Sequence, residues 1–136
     1  MANTVSQLTK RGINLIVGVL MFMTSLFLVI KVHASLFDIM YTFNPYPFYF
    51  LGFILGGERI FYAISGSSKL FNLLTGGGGE YSSLTQFAIF LMVLGLGIYI
   101  LIYTVAFTIP MIMVMNALNG LSYLFYSLII FKAWHM

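Results

Sequence analysis

The 136-residue chain has no cysteine, only three prolines and one tryptophan, and few charges, 7% of its residues. Without cysteine there can be no disulfide, no thiolate metal site and no cysteine nucleophile. Soluble domains carry about 25% charged residues, so a soluble globular domain is excluded. Acidic groups are scarcer still: Asp38, Glu58 and Glu80 are the only carboxylate side chains, and His33 and His135 the only histidines. No Ser/His/Asp set falls at one compatible depth, so the chain is not expected to be an enzyme. The six basic residues are scattered, the opposite of a nucleic-acid footprint, and no nucleic-acid partner is expected.

What is abundant is apolar surface. Hydrophobic residues make up 61% of the chain and mean hydropathy is +1.03, too apolar for disorder. An all-α integral membrane protein remains. Since a spanning helix takes about 20 apolar residues, the expectation is one transmembrane domain over 1–136, a small bundle of four helices at about 12–32, 47–66, 84–107 and 111–132. Lys10-Arg11 ahead of an apolar run ending Val32-His33-Ala34 resembles a secretory signal. The run from Gly12 to Ile30 is long enough to span, so it is expected to be the retained first helix. From Leu84 to Phe131 there is no charge over 48 residues, about 72 Å as straight helix against ~30 Å of hydrocarbon. The run must fold back, and Pro110 is the natural break. A break at Asn116–Gly120 is the alternative, leaving three crossings and a C-terminal interfacial helix.

Four crossings place Lys10, Arg11, Lys69 and Lys132 on one side and Lys31 on the other. By the positive-inside bias, both termini then face the cytoplasm or matrix, in an inner mitochondrial or a bacterial or archaeal plasma membrane. The turn Asn44-Pro45-Tyr46-Pro47 is flanked by Tyr41, Phe43, Phe48 and Tyr49, which read as an interfacial aromatic belt. Leu70–Leu74 is apolar enough to lie on the membrane surface, and Gly76–Gly79 read as a hinge. They lack the Gly-Lys-Ser/Thr ending of a phosphate loop.

The unusual feature is Glu58-Arg59, an adjacent charge pair near the middle of the second helix, where each charge costs at least ~2.5 kcal/mol on insertion scales. Gly52, Gly56, Arg59, Ala63 and Gly66 recur at helical spacing and form a small-residue stripe around the arginine, suited to close helix packing. Asn116, Gly120, Tyr123 and Ser127 form a second, polar stripe on the fourth helix, with Asn119 beside it. The first helix offers Asn14, Gly18 and Ser25, and the third Ala88, Gly95, Tyr99 and Ala106. The histidines are expected on opposite sides of the membrane, which excludes bis-histidine haem, and neither has a second ligand at metal spacing. No cofactor is expected beyond a bound phospholipid.

The charge-poor, aromatic-rich profile resembles the small accessory subunits of large membrane assemblies, such as respiratory or ATP-synthase complexes. That resemblance implies a non-catalytic structural subunit of a multi-subunit complex, packing through its small-residue faces, with other membrane subunits and lipids as partners. Two alternatives stand beside it. One is a small transporter or channel, working as a homo-oligomer through Glu58 and Arg59. Small multidrug transporters share this size but carry their working glutamate in the first helix, where this chain has none. The other is a trafficking or assembly factor of secretory membranes.

Overall fold

A computed structural model describes residues 7–32, 46–67, 83–106 and 109–132. These residues form four α-helices and no strand: α1 (Gln7–Val32), α2 (Tyr46–Ser65), α3 (Ser83–Tyr103) and α4 (Pro110–Phe131), with a 3-10 turn at Thr104–Ala106 between the last two. The protein is a small helical membrane bundle. By length and composition α1, α3 and α4 are each able to cross a membrane. Helix α2 is of similar length, 20 residues, but Glu58 and Arg59 lower its average apolarity.

The fold-back falls at Pro110. The proline stands in the first turn of α4, where its missing N–H would have no intrahelical partner and its fixed φ suits a helix start. Asn116–Gly120 lie within continuous helix, so the alternative break is not used. Helix α1 begins at Gln7, more than a turn ahead of the apolar run, because its polar first residues continue the same hydrogen-bonded ladder.

Two antiparallel hairpins, α1–α2 and α3–α4, make up the bundle, joined by α1 against α4. Each hairpin closes on a reciprocal pair of glycines. A Cβ on Gly56 would sit 2.6 Å from Phe22 N and 2.9 Å from Gly18 O, and one on Gly18 would meet Gly56 O at 3.0 Å. In the second hairpin Gly97 faces Gly120 O at 3.0 Å, and Gly120 faces Gly97 O at 3.1 Å. Lipid tails are as apolar as leucine, so such close packing and interhelical hydrogen bonds, rather than hydrophobic exclusion, hold membrane helices together.

Gly97 replaces Gly95 as the packing glycine of α3. Two residues along a helix point about 200° apart, so only one of the two can face α4. Gly95 has nothing within 4 Å of its Cβ position and, like Ala88, is exposed. The outer faces carry large apolar side chains such as Ile16, Ile64, Met92, Ile102 and Val105, each more than 60% exposed.

Arg11 ties the first hairpin at one end. Its Nε donates to Ala63 O at 2.9 Å and its Nη2 to Ile64 O at 2.7 Å, satisfying last-turn carbonyls of α2 with a cation, which also complements the helix dipole. Gly66, at φ +75°, ends the helix in the left-handed conformation that only glycine adopts without cost. Lys10, Arg11 and Lys132 all lie at this end of the bundle and Lys31 at the other. Lys69, His33, His135, Asp38, Glu80, Tyr41 and Phe43 of the aromatic belt, Leu70–Leu74 and the Gly76–Gly79 segment fall outside the described residues.

Candidate functional site: a buried polar seam

Glu58 and Arg59 are 1% and 0% exposed, placed in the interior by α2. Adjacent residues on a helix diverge by about 100°, yet the long arginine stem folds back. Arg59 Nε donates to Glu58 Oε1 at 2.5 Å, and Nη2 donates to Glu58 Oε2. This is the bidentate fork, the strongest geometry for an arginine–carboxylate pair. The third contact crosses to α1, where Arg59 Nη1 donates to Asn14 Oδ1 at 2.8 Å. Asn14 is itself oriented by its Nδ2, which donates to Lys10 O at 2.8 Å.

Aromatic groups complete the enclosure. The Arg59 guanidinium carbon lies 4.7 Å from the centre of the Tyr62 ring, within cation–π range. From α4, the Tyr126 hydroxyl donates to Glu58 Oε1 at 3.5 Å. The pair therefore joins three helices. Gly18 makes room for it: a Cβ there would stand 2.9 Å from Arg59 Cβ.

The seam continues along α4, whose buried face is mostly polar: Asn116, Asn119, Ser122, Tyr123, Tyr126 and Ser127. Asn119 Nδ2 donates to Thr24 Oγ1 at 2.9 Å and to Ser25 Oγ at 2.7 Å, bonding α4 to α1. Among the described residues, Asn119 Oδ1 is the one buried side-chain atom with no hydrogen-bond partner. Further along, Tyr49 of α2 donates to Asn116 Oδ1 at 2.5 Å. Asn116 Nδ2 donates to Ile100 O and Thr104 Oγ1, both at 2.7 Å, reaching α3 and its terminal turn. Tyr123 donates to Phe48 O at 2.5 Å.

The two stripes read from the sequence serve the chain's own interior. Gly52, Gly56, Arg59, Ala63 and Gly66 all face α1, through Ser25, Phe22, Asn14 and Arg11. Gly120 packs on α3, and Asn116 and Tyr123 bond outside their own helix. Ser127 is buried but donates to Leu124 O at 2.6 Å, within α4. Tyr49 is a correction to the aromatic belt: it is fully buried, because its hydroxyl has a partner in the core. Tyr126, Thr104 and Gly97 carried no distinguishing signal, since each lies in an uncharged run where many frames fit helical spacing. Among the described residues no cluster of histidine, aspartate and glutamate could hold a metal ion.

Comparisons with protein-family profiles, curated proteins and solved structures gave no significant match.

Proposed function

We propose that this protein is a non-catalytic structural or accessory subunit of a larger membrane assembly. The observation that carries the reading is the enclosure of Glu58 and Arg59. A residue that conducts ions or handles substrate needs an approach from water or from a cavity. Here both charges are sealed, and their strongest donors and acceptors are committed to each other, to Asn14, to Tyr62 and to Tyr126. Isolated charges at membrane depth are costly, whereas a forked pair crossing to two further helices fixes how those helices register. The apolar outer faces suit lipid and the helices of other subunits.

One observation favours a second reading, a small oligomeric transporter. The polar side chains along α4 run from Glu58 past Asn119 to Asn116, and hydrogen-bonded side chains are the material of proton pathways. A liposome flux assay with protons, sodium, potassium and chloride tests the two readings. The structural reading expects no flux above empty vesicles for the purified protein. Flux that Glu58→Gln abolishes in a folded protein would overturn it.

A further inference from the structure

Among the described residues, the outer surface has a concave feature where α3 begins and α4 ends. Gln86, Phe87, Phe90 and Phe131 line a groove of about 180 Å³. Its wall is a run of rings: Phe87 and Phe90 lie 5.9 Å apart between centroids, and Phe90 and Phe131 5.1 Å. Phe87 and Phe131 are about half exposed, so the groove opens sideways, where hydrocarbon surrounds two helices apolar enough to span.

One end of the groove is polar. Gln86 Nε2 donates to Ile130 O at 2.8 Å, which pins the amide across the α3–α4 seam. The next residue after Phe131 is the exposed Lys132, at the end of the bundle that also carries Lys10 and Arg11. An ammonium has three donors and can serve a phosphate beside another acceptor. Apolar rings below and a cation at the helix end match the two halves of one molecule. We propose that this groove binds an anionic phospholipid, with an acyl chain against Phe87, Phe90 and Phe131 and the phosphate at Lys132. Basic pockets between helix ends are a recurrent way of selecting such headgroups. The inference requires only that α3 and α4 cross the membrane. It holds for a subunit or a transporter, so its failure and that of the proposed function are separate.

Native mass spectrometry of the full chain in detergent, with dioleoyl phosphatidylglycerol or dioleoyl phosphatidylcholine added, tests it. The protein should retain the anionic lipid about fivefold better, the preference one basic residue near an anionic headgroup supplies. Lys132→Gln should bring that ratio close to one, while Lys31→Gln, at the opposite end, should leave it unchanged. Phe87→Ala, at a half-exposed position that tolerates truncation, should reduce retention of both lipids, with circular dichroism confirming the helices. Equal retention of the two lipids by the unaltered protein would overturn the proposal. So would an unchanged ratio in Lys132→Gln, an equal loss in Lys31→Gln, or full retention in Phe87→Ala.

Discussion

Replacing Arg59 by methionine keeps most of the side-chain length and removes the charge. The Glu58 carboxylate would then lose both arms of its fork and keep the Tyr126 hydroxyl at 3.5 Å, while Asn14 Oδ1 would lose the guanidinium donor now 2.8 Å away. Leaving one member of a buried pair uncompensated costs about 3–5 kcal/mol. For a chain of this size that corresponds to a fall of roughly 10 °C or more in the thermal midpoint. Glu58→Gln should cost less, because the amide oxygen can still accept from Arg59 Nε, and the arginine retains Asn14 and the Tyr62 ring. The double variant Glu58→Gln/Arg59→Met leaves no buried charge and should recover much of the loss. Thermal unfolding of all four proteins in one detergent, followed by circular dichroism, gives the coupling energy of the cycle. Single variants as stable as the parent would refute the reasoning, because the pair would then be in contact with water. A double variant no more stable than Arg59→Met would also refute it, by showing that the charges do not compensate each other.

Four further outcomes are expected. Gly56→Ala should destabilise by about 1–3 kcal/mol, as overpacking does, because its Cβ would meet backbone of α1 at 2.6 Å. Gly95→Ala, into open space, should be neutral or stabilise by roughly 0.5–1 kcal/mol; the same melting experiment checks both, and the reverse order would contradict the packing. Tyr49→Phe removes the donor to Asn116 Oδ1 and should cost about 0.6–2 kcal/mol, seen as a lower midpoint; no change would mean that another donor replaces it. Cysteines placed at Ala2 and Ala133 on this cysteine-free background should both label from the same face of sealed vesicles, and labelling from opposite faces would exclude four crossings.

The helical bundle could be read from the sequence because its strongest constraints are one-dimensional. An uncharged run twice the bilayer thickness has to turn, and Pro110 is the residue at which turning costs least. The Glu58-Arg59 pair stood out for the same reason, as charge where insertion opposes it. What was not legible depended on the angular position of each residue once four helices meet. Gly95 and Gly97 are equivalent in composition, and only the packed hairpin decides that Gly97 faces α4. Tyr49 sits among ring-bearing residues next to a predicted membrane interface, and its burial follows from Asn116, 67 positions away. Asn14 lay on the small and polar face of the first helix, but its role as the Arg59 acceptor required the antiparallel register of α1 and α2. Both stripes were expected to serve packing, and their contacts lie largely inside the chain, while the outer faces carry large apolar side chains.

Native mass spectrometry of the protein extracted in mild detergent from its own membrane reads out whether this bundle is a component of a larger assembly. A subunit role predicts release in complexes with unlike membrane subunits, at a fixed stoichiometry. Recovery as a homo-oligomer alone, with ion flux after reconstitution, would contradict it.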